Sequence, residues 1–217
     1  MLKNVGFSEF TDRLAHRLSN HLVEVVEILP MNQAERRACD LPAGLFRVGL
    51  GVFWPILEEH PLARKNRMGD ARPTASECHV STWLVPEAVV CDQARTVFDS
   101  VEEAVDALIG PGLGWLESLR DSNRASALLQ RKDWELFWRY PMMRGLGAGS
   151  SIRRLVYIGY LKHLLGRSAE SQEYIDRAEK ALHSLYPEHF RNRREAWISQ
   201  VKVRIHELDQ RSTPGQF

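Results

Sequence analysis

The sequence predicts an α+β protein: an antiparallel sheet of about four strands, covered on one face by helices and followed by an all-helical C-terminal region. Three observations lead there. Leu45 to Trp54, LFRVGLGVFW, alternates at period two, with Phe46, Val48, Leu50, Val52 and Trp54 on one face. At residue 100 a Ser-x-x-Glu start opens a stretch of apolar residues at three- and four-residue steps. Beyond residue 150 that helical spacing continues, broken at Gly166 and Pro187. The division expected is 1–120 for the sheet and 121–217 for the helices, whether or not they share one core.

Taken in order, Leu2 to Phe7 is the end of a short helix with Gly6 as its stop. Residues 11–29 carry two patterns. Phe7, Phe10, Leu14, Leu18, Leu22, Val25, Val26 and Leu29 recur as on an amphipathic helix. Ser19-Asn20 between Thr11–Leu18 and the β-branched His21–Leu29 run equally suits a hairpin. Residues 30–44 are polar and turn-rich, a connecting loop, and 58–76 read as a long surface loop. Between them, the odd face of the Leu45–Trp54 strand offers Arg47, Gly49 and Gly51, bare enough for a second backbone or a ligand to approach. Glu77 to Val85, closed by Pro86, is the next strand, with Glu77, His79, Ser81 and Trp83 on one face and Cys78, Val80, Thr82 and Leu84 on the other.

The order Leu2-Lys3, Gly6-Phe7, hairpin, FRVGLGVFWP and then ECHV resembles the bacterial domain-of-unknown-function 4304 family over roughly the first half of the chain. Gly49 stands where that pattern has Asn, and Ser81 near where it has Arg. The resemblance implies a small mixed α/β domain and selects the hairpin for residues 11–29. It implies no activity, because the family is not defined by one.

Ser100-Val-Glu-Glu103 is a capping box, and Val101, Ala104, Val105, Leu108 and Ile109 form a stripe stopped at Gly110-Pro111. Leu113, Leu116 and Leu119 extend a second helix; these two are expected to cover the Phe46–Trp54 face. Ser122 to Tyr140 follows, ending before Pro141. Ser151–Leu165 and Ser168–Leu185 form a helical hairpin that resembles one tetratricopeptide unit through Leu155, Ile158, Gly159, Ile175 and Ala178. Lys162 occupies the usual aromatic position and no second copy is visible, so a packing appendage is favoured over a peptide receptor. The last helix, Pro187–Asp209, runs Phe190, Trp197, Val201, Ile205 and Leu208 down one side, and the tail RSTPGQF is expected to fray.

With 44% hydrophobic and 26% charged residues, the 217-residue chain has the composition of a folded protein. It lacks a signal-peptide core and any apolar run of membrane-spanning length, and is expected in the cytoplasm. Cys39, Cys78 and Cys91 lack metal-ligand or disulfide spacing and are expected as free thiols. The net charge of +1 hides an asymmetry: 11 Lys/Arg against 16 Asp/Glu in residues 1–109, and 18 against 12 beyond.

Signatures of chemistry are sparse. Gly145–Ser150 precedes a helix but lacks the Gly-Lys-Ser/Thr of a phosphate loop, so a flexible linker with Ser150 or Ser151 as cap is favoured. No HExxH, G-x-S-x-G or metal-ligand histidine pair occurs, and neither metal nor cofactor is expected. Cys78 and His79, adjacent on a strand, would point to opposite sides and could not act as nucleophile and base. The expected site is a polar patch of Arg47, Gly49, Gly51, Glu77, His79 and Trp83, where an aromatic anchor sits among charges.

On this footing the expected function is non-catalytic binding of another protein, as an immunity-type inhibitor or accessory subunit, through the glycine face or a groove between sheet and helices. Two alternatives stand beside it. One is an enzyme using His79 as acid or base with Glu77 or Arg47 as orienter. The other is a nucleic-acid accessory factor using Arg191, Arg194 and Lys202, the less favoured at this near-neutral charge. Identity of the partner and oligomeric state are not encoded in any motif.

Overall fold

A computed structural model describes residues 2–19, 21–38, 43–59, 72–84, 97–131, 143–147 and 150–212. Cys39, Cys91, the 132–140 portion of the expected helix and the tail from 213 lie outside them. The chain divides into a sheet unit (Met1–Pro55, Pro61–Arg120, Arg131–Gly147) and a helical unit (Ile56–His60, Asp121–Gln130, Ala148–Phe217).

Among the described residues the sheet unit holds six antiparallel strands in chain order: β1 (Glu9–Phe10), β2 (Leu14–Leu18), β3 (Val23–Pro30), β4 (Phe46–Phe53), β5 (Val80–Leu84) and β6 (Met143–Gly147). Of the two readings of residues 11–29, the hairpin is the one that forms. Helical spacing loses because β3 carries Val23, Val25, Val26 and Ile28, and its flanking strands pair both of its edges. The sheet exceeds the expected four strands by β1 and β6, and β6 lies where a flexible linker was expected. Gly6, with φ of 89°, ends a 3₁₀ turn at Leu2–Val5, as its stop position requires.

β4 occupies the centre, between β3 and β5. Its even-numbered residues Val48, Leu50 and Val52 are fully buried, and helix α3 (Leu113–Arg120) packs on the strand, as its apolar stripe foretells. Leu113, Trp115, Leu116 and Leu119 supply the buried side of α3, and each such side chain contributes about 1.5–3 kcal/mol. Ser100 caps helix α2 (Val101–Ala107) by accepting the Glu103 N–H, and a π-helical turn at Leu108–Gly112 joins α2 to α3. On the same sheet face Glu24, fully buried, receives both Arg17 (2.6 and 2.8 Å) and Arg120 (2.9 and 2.7 Å).

Two segments depart from expectation. A short helix α1 (Gln33–Ala38) stands in the 30–44 connection. More consequentially, β5 begins at Val80 and not at Glu77, because Ala75–Glu77 close a 3₁₀ turn. Thr74 and Glu77 start that turn as the carboxylate arm of a capping box: Glu77 Oε2 accepts from the Thr74 N–H (2.8 Å) and hydroxyl (2.9 Å). The strand parity assigned to residues 77–79 therefore does not apply.

In the helical unit, α4 (Ser122–Leu129) packs on α5 (Ser151–Leu164), which pairs with α6 (Ser168–Leu185); α7 (Glu188–Ser212) completes it. Gly166 supplies the left-handed turn (φ 71°) between α5 and α6. From α7, Trp197 donates to the Leu57 carbonyl and Arg204 to the carbonyls of Ile56 and Glu58, which fastens the Ile56–Glu58 segment to the helix.

Candidate functional site

The odd-numbered face of β4 is not open. Residues Arg72–Cys78 cross it as a strap, and each of its contacts falls on a successive strand. Arg72 pairs with Glu9 of β1 (2.5 Å), and His16 of β2 donates through Nε2 to the Pro73 carbonyl (2.9 Å). The Ala75 N–H donates to Glu27 of β3 (2.9 Å), and Cys78 fills the space above Gly51 of β4. The glycines serve the first of the two uses foreseen, close approach of another segment of chain: a β-carbon on Gly49 would stand 3.0 Å from both Ala75 and Trp83. Both glycines are buried, so neither can touch a partner.

The predicted patch is correspondingly divided. Arg47 lies at the start of β4 beside Leu29 of β3, whereas His79 stacks on Phe53 at the other end (centroids 4.6 Å apart) and accepts the Trp54 N–H (3.0 Å). Those two ends, Arg47 and Phe53, are six residue steps apart along β4, about 20 Å of extended chain. His79 is 8% exposed, and its Nδ1 lone pair is spent on backbone, which leaves that nitrogen unable to take a proton from a substrate. Trp83 stands in register with Gly49 and hence in the cross-strand row of Glu27, on the strap-covered face.

What the strap leaves uncovered is a cleft of about 580 Å³ at the Arg47 end of the sheet. Thr11, Asp12 and Arg13 of the β1–β2 turn form one wall, and Thr74, Ser76 and Glu77 of the strap the other. Leu14, Leu29 and the buried Glu27 come from the sheet between them. Among the described residues, three carboxylates thus face the cleft against one arginine, with hydroxyls that can donate or accept and two leucines that can receive an aliphatic stem. Glu77 is the one residue shared with the predicted patch.

The reactive side chains near this cleft are held in unreactive states. Burial, reinforced by the charges of Glu27 and Glu77, pushes the Cys78 thiol well above its ordinary range, away from thiolate chemistry. Burial likewise lowers the pKa of His16, partly offset by the Pro73 carbonyl and Glu9. The hydrogen bond from Arg72 holds the Glu9 carboxyl below its ordinary value. Among the described residues no group of three or more His, Cys, Asp or Glu is placed to hold a metal ion.

The candidate nucleic-acid residues are engaged within the helical unit. Lys202 pairs with Glu179 (2.7 Å), Arg191 donates to the Tyr186 carbonyl (2.6 Å), and the Arg194 guanidinium lies 4.5 Å from the Tyr186 ring centroid. Among the described residues, no helix is long and apolar enough to cross a membrane.

Thr11, Asp12, Arg13, Glu27, Thr74 and Ser76 escape sequence reasoning, although two signals were there. A glutamate inside the apolar run VEVVEILP marks a carboxylate that the fold must satisfy, and Thr-Ala-Ser-Glu is a capping box. Comparison of the chain with family models, curated proteins and solved structures finds no match.

Proposed function

We propose that this protein is a binding module for another protein, and that the cleft between the β1–β2 turn and the strap receives a basic segment of that partner. The observation that carries this reading is the lining itself: among the described residues, Asp12, Glu27 and Glu77 against the cation Arg13, above Leu14 and Leu29. A lysine or arginine side chain matches both parts, its stem on the leucines and its head among the carboxylates. The reading fits the acidic balance of residues 1–109 and suits an inhibitor or accessory subunit, which acts by occupying a partner. An enzymatic role for the same cleft has less support, since the nearby thiol and imidazoles are committed to packing and backbone contacts.

Panning a displayed random-peptide library on the purified protein tests it. Recovered peptides should be enriched in Arg or Lys. Their binding should fall at least about tenfold with Asp12→Lys or Ser76→Lys, both exposed positions, with thermal stability unchanged. Peptides without basic residues, or binding indifferent to both substitutions, would move the site elsewhere.

A further inference from the structure

We propose that Arg72–Cys78 is an acid-released latch: in mild acid it leaves the sheet as a unit, dismantling one wall of the cleft and uncovering Gly49, Gly51 and Cys78. The proposal concerns the fold and holds whatever the cleft binds.

The geometry divides the contacts unequally. β3 is bound into the sheet by ladders along both sides, and β2 by a ladder along its whole length to β3 and a short one to β1. The strap's backbone bonds instead run within itself, from Glu77 to Thr74 and from Cys78 to Ala75. It is tied to the sheet by side chains: Glu9 to Arg72, His16 to Pro73 and Glu27 to Ala75. Any stress arising between strap and sheet is therefore relieved by the strap, the element with fewer and more separable contacts.

His16 is where acid creates that stress. It is 1% exposed and lies in register with Glu9 of β1 and Val25 of β3, beneath Pro73. The charged groups acting on it are Glu9 from β1 and Arg72 from the strap, already paired with each other. Glu27, one row along the face, is occupied by the Ala75 N–H. A proton on His16 thus puts a charge on a ring that water does not reach, beside a carboxylate that Arg72 already neutralises. Detaching the strap gives the charged ring access to solvent.

The sign follows from burial. A detached His16 takes its proton near the ordinary value of about 6.5, whereas burial lowers that value in the closed state. Between the two values the open state binds more protons, so falling pH favours opening by about tenfold per unit. Glu9 cannot produce this response, because its lowered pKa keeps the Arg72 pair intact until well below mild acid.

Hydrogen–deuterium exchange of the full chain, read by mass spectrometry and corrected for intrinsic rates, tests the latch. Exchange in the 72–79 peptide should rise about fivefold as pH drops from about 6.5 to about 5.5, with β3 and β4 unchanged. His16→Gln, which keeps a donor for the Pro73 carbonyl but does not titrate, should flatten the response. The second readout needs no variant at His16. In a Cys39→Ser/Cys91→Ser background, labelling of Cys78 by 4,4′-dithiodipyridine, normalised to glutathione at each pH, should rise in parallel. Exchange and labelling that do not change with pH, or an equal response in His16→Gln, would overturn the proposal. So would loss of protection across the whole sheet at the same pH.

Discussion

The Cys78 side chain occupies the place that a side chain on Gly51 would take: a β-carbon on Gly51 would stand 2.7 Å from the Cys78 β-carbon. The Ala75 carbonyl, at 3.3 Å, closes the space from a second side. Backbone cannot yield as a flexible side chain can, so Gly51→Ala must lift the strap or distort β4. The expected loss is about 1–3 kcal/mol, measured by urea unfolding. Cys78→Gly should recover part of it in the double variant, giving a coupling that two independent substitutions would lack.

Glu24 makes the next prediction. It is fully buried and carries two guanidiniums of unequal exposure, with Arg17 at 6% and Arg120 at 39% of side-chain surface. Removing the carboxylate strands the Arg17 charge in the interior, so Glu24→Ala should destabilise by about 3–5 kcal/mol. Arg120→Ala leaves the buried pair whole and removes a partner that water can replace, so its loss should be about 1 kcal/mol or less. Denaturation midpoints of the two variants check the ordering, and equal losses would contradict it.

How much of this was legible follows the same division between ladder and strap. The 45–54 strand was readable because its even residues form an apolar row, and the helices that cover it because Ser100 and the stripe from Val101 announce them. The odd face was legible only as a space. Nothing in the Arg47-Gly49-Gly51 pattern says whether backbone or ligand fills it. The answer lies in Thr74–Glu77, whose local capping bonds win over the strand pattern that ECHVSTWLV displays. That one turn shifts Cys78 onto the glycine face, carries Glu77 to the cleft and leaves His79 at the far end with Phe53. The β1–β2 wall had no signal, since Thr11, Asp12 and Arg13 are ordinary turn residues until the sheet brings them opposite the strap.

Gly159 offers a test in the helical unit. A β-carbon there would stand 2.8 Å from Ile175 Cγ1 and 3.1 Å from the Ser171 carbonyl, so α5 and α6 meet at this glycine. In an isolated helix Gly→Ala is favourable by about 1 kcal/mol. Here the helix–helix contact reverses the sign, and Gly159→Ala should destabilise by about 1–3 kcal/mol. Thermal unfolding followed by far-UV circular dichroism reads the change. Ile175→Ala in the Gly159→Ala background should be less damaging than in the native chain, because the added methyl then has room.

Tyr160 carries a prediction at the alkaline end. It is 2% exposed, and burial pushes its phenol up to about 12. In the unfolded chain the same phenol ionises near its ordinary value of about 10. Its contribution to stability is therefore complete below about pH 10 and is lost as pH rises through that window, where the unfolded state alone releases the proton. Tyr160→Phe removes the ionisation and should flatten this part of the pH–stability curve, whatever constant offset it introduces. Tyr157 is shifted in the same direction by burial and would leave a residual slope, which Tyr157→Phe should remove in turn. Urea midpoints at several pH values between about 9 and about 11 decide the matter, and parallel curves for native and Tyr160→Phe chains would show that this phenol is not buried.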